Sequence, residues 1–176
     1  MKKSFVLFLM ICMVVCLSGC YHVETTDTEQ YNDFYQYMQA KNTSIGNNLP
    51  EPSEAFTVED VYLYYSDRDP VDSMYTVYVN CVYKKEHFEQ AKQDAYAISR
   101  KWGDPVSNSS SFDCESVVAP PYNEIYSGGE RHGTYILFDD AERRIVYVQV
   151  FDDAVKAKSK NIPEEYLPKE WREISS

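Results

Sequence analysis

Met74 to Tyr83 alternates so cleanly that it commits the chain to a sheet. Tyr75, Val77, Val79, Cys81 and Tyr83 share one side, and Thr76, Tyr78, Asn80 and Val82 share the other. A two-residue period is what a pleated strand presents, whereas a helix would scatter the same apolar residues around its whole surface. The first side is the more apolar and is expected to face the core. Val58 to Tyr65, dense in valine and tyrosine, reads as a strand before it, across the turn residues Asp67-Arg68-Asp69-Pro70. Asp113 to Ala119 reads as a strand that ends at Pro120-Pro121. Gly133 to Asp139 and Arg144 to Phe151 form a hairpin in which Val146, Val148 and Val150 point one way and Tyr147 and Gln149 the other. That period predicts a sheet buried on one face and wet on the other.

Two segments carry helical spacing instead. Tyr31, Phe34, Tyr35 and Met38 fall at i, i+3, i+4 and i+7, behind Asp27 or Thr28 as a cap, and predict a helix to about Lys41 that docks on the domain. Lys84 to Trp102 places Phe88, Ala91, Ala95 and Ile98 on one stripe, and Gly103 with Pro105 stops it. Lys92 lies at the stripe's edge, where a long stem reaches water. Asn42 to Ser53 and Val106 to Ser111 are loop compositions. Tyr166, Leu167 and Trp171 are too apolar for a free tail and are expected to pack back. Two strands, a helix and returning strands give an α+β fold: a two-layer sandwich with a mostly antiparallel sheet of about five strands and helices packed on one face. Residues 28–176 form its single domain.

The N-terminus is organised differently. Met1-Lys2-Lys3 is a short positive start, Phe5 to Leu17 is an unbroken apolar run, and Leu17-Ser18-Gly19-Cys20 follows. The apolar run is shorter than the roughly 20 residues needed to span a bilayer. Charge, run length and small residues have the three-part layout of a secretory signal peptide. With the cysteine at the cut, residues 1–19 resemble a bacterial lipoprotein signal and its lipobox. The resemblance implies that Cys20 carries a lipid anchor, with Tyr21 to Asp27 as a polar tether to the domain. It places the protein on the outer face of the cell membrane.

Removal of residues 1–19 takes away Lys2 and Lys3 and no acid, so a net charge of −11 becomes −13. Such a body is repelled by anionic headgroups and by nucleic acid, which leaves the lipid on Cys20 as the membrane contact and makes a nucleic-acid partner unfavourable. Of five cysteines, Cys12 and Cys16 leave with the signal and Cys20 is the lipid site. Cys81 and Cys114 remain as a candidate disulfide in an oxidising compartment, or as two apolar thiols.

Catalytic and metal-binding patterns are weak. Cys114 with His132, oriented by Asp139 or Asp140, is the one nucleophile–base combination on offer, and no local signature surrounds it. Ser127-Gly128-Gly129 lacks the nucleophile elbow of hydrolases. His22, His87 and His132 are scattered, and Asp67, Asp69 and Asp72 lack the spacing of a calcium loop, so neither a metal nor a cofactor is expected. Gly128, Gly129, Glu130, Arg131 and His132 form the candidate binding loop, because glycines and titratable side chains concentrate there between two strands.

Leu49-Pro50-Glu51 before a tyrosine-rich strand, Arg144-Ile145-Val146-Tyr147-Val148, and Glu165-Tyr166-Leu167-Pro168-Lys169-Glu170-Trp171 together resemble a family of small lipoproteins from Gram-positive gut bacteria. The resemblance spans most of the mature chain, and only Cys20 transfers from it as a site. The Trp102-Gly103-Asp104-Pro105 turn is also similar to small helper lipoproteins of the outer-membrane-assembly and β-lactamase-inhibitor-like kind. The expected function is a non-catalytic extracytoplasmic binding module, with an exposed tyrosine patch over Tyr64, Tyr78 and Tyr147 as its interface. The alternatives are a passive assembly helper or inhibitor, or an anchored hydrolase using Cys114 and His132.

Overall fold

A computed structural model describes residues 21–41, 48–67, 73–119, 124–125, 131–152 and 161–172. Its centre is one antiparallel sheet. The strands are β1 (Tyr21–Thr25), β2 (Phe56–Asp67), β3 (Ser73–Tyr83), β4 (Val106–Ser107), β5 (Glu115–Val118), β6 (Glu124–Ile125), β7 (Arg131–Asp139) and β8 (Arg144–Asp152). Seven lie in the order β1-β2-β3-β8-β7-β5-β4, and the two-residue β6 joins the edge of β7 beside β5. The α+β class is as expected, with more strands than the five read from the sequence. The extra ones are short or polar: β1, β4 and β6 have too few apolar residues to announce themselves, and pairing with longer neighbours holds them.

β1 changes the reading of the N-terminal tether. Tyr21 to Thr25 pair residue for residue with Asp67 back to Leu63. Val23 packs against the core between polar neighbours. The chain is therefore bound to the sheet from Tyr21 onward, and only Thr26 and Asp27 separate β1 from the next turn.

Helix α1 (Tyr31–Ala40) follows a 3-10 turn over Thr28–Gln30, and the Asp27 carboxylate accepts from the Glu29 amide at 3.0 Å as the sequence suggested. Tyr31, Phe34 and Met38 are buried, and Tyr35 is half-buried. The Tyr31 hydroxyl donates to the Pro50 carbonyl, which ties α1 to the loop before β2. Helix α2 (Lys85–Ser99) buries Phe88 and Ala95, and continues as a 3-10 turn to Trp102, where Gly103 takes φ +105. An L side chain is strained at that angle, so glycine is the residue suited to the stop. Lys92 fixes α2 across the sheet: its ammonium lies 2.7 Å from both Glu115 at the start of β5 and Asp140 in the β7–β8 turn.

The sheet is covered on both faces, against the expectation of one wet face. On the helix side, Val61, Leu63, Val77, Val79, Cys81, Ile136, Ile145 and Tyr147 pack with the residues of α1 and α2. On the other side, Tyr62, Tyr64, Tyr78, Tyr135, Leu137, Val146, Val148 and Val150 pack under Phe112, Ile162, Leu167 and Trp171. The tail thus packs back as its apolar residues require. It ends in the short helix α3 (Lys169–Arg172), on which Trp171 is fully buried. Thr76, Tyr78 and Asn80 looked like a solvated side because each carries a polar group, yet all three lie under this second layer.

The strand registers define two ends of the sheet. Tyr21, Asp67, Ser73, Arg131 and Asp152 lie at one, and Phe56, Tyr83, Asp139, Arg144 and Glu115 at the other. β2 runs the full distance, twelve residues. At about 3.3 Å per residue the two ends are roughly 35 Å apart.

Candidate functional site

A concavity of about 670 Å³, larger than the others formed by the described residues, lies at the Phe56–Tyr83 end, on the helix face. One wall is the chain from Leu49 to Phe56 together with Tyr35 of α1, and the other is the flank of α2 from His87 to Lys101. Its small residues make the space: Ala91 and Ala95 sit where longer side chains would fill the gap. Pro50 and Pro52 stiffen the opposing loop. His87, Gln90, Asp94 and Lys101 line it at intervals of three, four and seven, the polar flank beside the helix's apolar stripe.

Two tyrosines meet at its base. The hydroxyls of Tyr83 and Tyr147 are 3.2 Å apart and share a hydrogen bond. Burial raises the pKa of both and the neighbouring Cys81 adds to it; Tyr83 raises Tyr147 further, while the shared hydrogen bond partly offsets the rise of Tyr83, and burial likewise raises those of Tyr31 and Cys81. The floor therefore stays neutral at physiological pH. It supplies hydrogen bonds and no thiolate or phenolate nucleophile.

A second concavity of about 420 Å³ lies at the same end of the sheet, lined by Cys114, Leu137, Asp139, Arg144 and Tyr166 among others. Most of its charges are already engaged within the protein. Arg144 pairs with Glu59 at 3.1 Å, Asp113 with Lys169 at 2.8 Å and Arg172 at 3.0 Å, and Glu115 with Lys92. Cys114 is an exposed residue, yet partial desolvation by its surroundings, with the Asp113 and Asp139 carboxylates, pushes the thiol pKa up, which makes it a poor nucleophile at neutral pH.

The sites anticipated from the sequence are dispersed. Cys81 faces Ile145, Ile145 faces Phe138, and Phe138 faces Glu115, so one row crosses four strands from Cys81 to the neighbour of Cys114. Three strand spacings are roughly 14 Å, far beyond the 7 Å reach of a disulfide. Both thiols are accordingly free, and the candidate pairing is not formed. His132 is the second residue of β7, six residues before the Phe138 that pairs with Glu115. That separation is roughly 20 Å along the strand, so Cys114 and His132 cannot share a proton.

Arg131 and His132, the described part of the candidate binding loop, lie at the other end of the sheet from both concavities. Arg131 and His132 pair with Asp152 and Phe151, while Gly128, Gly129 and Glu130 lie outside the described residues, as do Cys20, Asp69 and Asp72. The tyrosine patch is not exposed either: Tyr64, Tyr78 and Tyr147 are 4%, 0% and 4% accessible. Each packs beneath a covering layer, so those rings are core. Among the described residues no group of three metal-ligating side chains converges, and no helix is long and apolar enough to cross a membrane.

No protein-family model, curated protein or solved structure matches this chain. The cleft between α2 and the 49–56 loop was not singled out from the sequence. Its lining comes from five separate segments, and only the Leu49-Pro50-Glu51 marker and the spacing of Gln90, Asp94 and Lys101 hinted at a shared surface.

Proposed function

We infer that the protein is a lipid-anchored binding module on the outer face of the cell membrane, held by Cys20 and receiving its ligand in the cleft between α2 and residues 49–56. The observation that carries the reading is the cleft itself: a pocket-sized concavity with a neutral hydroxyl floor, half-buried rings and a polar rim. The loss of the tyrosine patch moves the binding surface from the sheet to this cleft. The anchor and the cleft fit one another. β1 begins at Tyr21, one residue after Cys20, and pairs with the Asp67 end of β2, whereas the cleft opens by Phe56 at the opposite end. A lipid on Cys20 holds the Asp67 end against the bilayer and presents the cleft roughly 35 Å away, facing exported ligands. The hydrolase alternative is not carried forward with Cys114 and His132 so far apart.

Two measurements on the full chain test this reading. Metabolic labelling with a fatty-acid analogue is expected to mark the wild type and not Cys20→Ala; equal labelling would remove the anchor. A thermal-shift screen of small amines, polyols and short peptides is expected to give stabilising compounds whose effect disappears in Ala91→Trp, which fills the cleft. Stabilisation that persists in Ala91→Trp, or none at all, would overturn the cleft as the binding site.

A further inference from the structure

We propose that the ligand of this cleft is an organic ammonium cation, a deduction that rests on the cleft being the binding site. Two carboxylates line it, Glu51 on the loop wall and Asp94 on α2. Neither has an ion-pair partner among the described residues, and Asp94 is held in place by the Gln90 amide, which donates to it at 2.9 Å. In the neighbouring concavity, by contrast, three of the five carboxylates, Asp113, Glu115 and Asp140, are paired with Lys92, Lys169 and Arg172. The fields of both acids reach inward. After burial, Glu51 is the group that raises the Tyr35 hydroxyl, and Asp94 adds to the rise of Tyr83.

Aromatic rings line the same cleft. Phe56 and Tyr35 are half-buried, and Phe56 stands 5.0 Å from the Tyr83 ring. A ring face beside a carboxylate suits an alkylammonium head, which is attracted to the π-system and sheds its hydration more readily than a metal ion. The cleft's own cationic groups stand apart from this point. His87 precedes Asp94 by seven residues and Lys101 follows it by seven, so each is about 10 Å away along the helix axis. The net charge of −11 adds a long-range pull in the same sense. At the base, the Tyr83–Tyr147 pair consumes one hydroxyl hydrogen and leaves a second to be donated to an oxygen on the ligand.

Calorimetric titration of the full chain with choline, and with its neutral isostere 3,3-dimethylbutan-1-ol, isolates the charge from the shape. Choline is expected to bind roughly tenfold more tightly than the isostere, and Asp94→Asn and Glu51→Gln are each expected to weaken choline several-fold while leaving the isostere unchanged. Both substitutions are at exposed positions, so the fold survives them. Equal affinity for the two probes, or indifference of choline to both substitutions, would overturn the cation assignment. If neutral compounds bind and are displaced by Ala91→Trp, the cleft stands as the site and only the ligand class fails. If no probe of either kind binds, both inferences fail together.

Discussion

The two faces of the sheet are covered by different means, and the larger of the two concavities lies under the helices. On the helix face, α1 and α2 are rigid rods laid across a twisted surface, and the gap between α2 and the 49–56 loop remains open at about 670 Å³. On the tail face, irregular chain adapts residue by residue until Trp171 is wholly enclosed. Its fastenings are local and polar: the Lys169 amide donates to the Ser111 carbonyl at 2.9 Å, the Tyr135 hydroxyl to the Tyr166 carbonyl at 3.0 Å, and Lys169 and Arg172 both reach Asp113. A helix buries a stripe and stands off elsewhere, whereas an extended tail can place a ring in each hollow. The larger concavity therefore belongs to the helix face, while the tail closes tightly over Trp171 and leaves the smaller one beside Leu137, Val146 and Tyr166.

The largest test of that contrast is Trp171→Ala. Removing a fully buried indole costs about 3–5 kcal/mol, and the whole tail depends on it. Denaturant unfolding of the variant should show a loss of that size, and a loss below about 1 kcal/mol would mean that the tail is an ornament on a sheet stable without it. Alkali strikes both faces together. Tyr31, Tyr83, Tyr135 and Tyr147 are buried, and burial raises each pKa above the ordinary value of 10. Their contribution is complete below about pH 10 and drains away as pH rises above it, at about 1.4 kcal/mol per pH unit for each group. Unfolding free energy measured at pH 9, 10 and 11 should fall steeply at the last step. A native chain whose tyrosinate absorbance titrates near pH 10 without loss of structure would contradict the burial.

A matched pair of hydroxyl deletions separates the faces more finely. Tyr135→Phe leaves the part-buried Tyr166 carbonyl without its donor from the tail face and should cost about 1–3 kcal/mol. Tyr147→Phe removes half of the Tyr83 pair at the floor of an open cleft, where water can replace it, and should cost about 1 kcal/mol or less. Reversal of that order would mean that the cleft is the drier of the two.

Much of the fold was legible because local pattern and final environment agree. The Met74–Tyr83 alternation, the α2 stripe and the Gly103 stop are each decided by neighbouring residues. The second buried face was not, since Thr76, Tyr78 and Asn80 read as half-wet until a tail some ninety residues later covers them. β1 was hidden for the same reason: Tyr21 to Thr25 is a polar sequence whose order comes from the edge of β2. The cleft was the least legible feature, because a void is defined by what surrounding segments fail to fill, and no single segment records that.

Cys114 gives the smallest expected effect and the sharpest check on the sheet order. The row Cys81–Ile145–Phe138–Glu115 separates the two thiols by three strand spacings, with one sealed beneath the helices and the other at the surface. Cys114→Ser should then change stability by no more than about 0.5 kcal/mol, as surface substitutions do. In the folded protein, a thiol reagent should modify Cys114 slowly, because its raised pKa keeps the thiolate scarce, and Cys81 only after unfolding. If neither thiol reacts in the unfolded, unreduced chain, a Cys81–Cys114 bond exists, and the strand order that keeps them apart is wrong. The helix face would then have to fold over a different sheet, and the cleft built upon it would go as well.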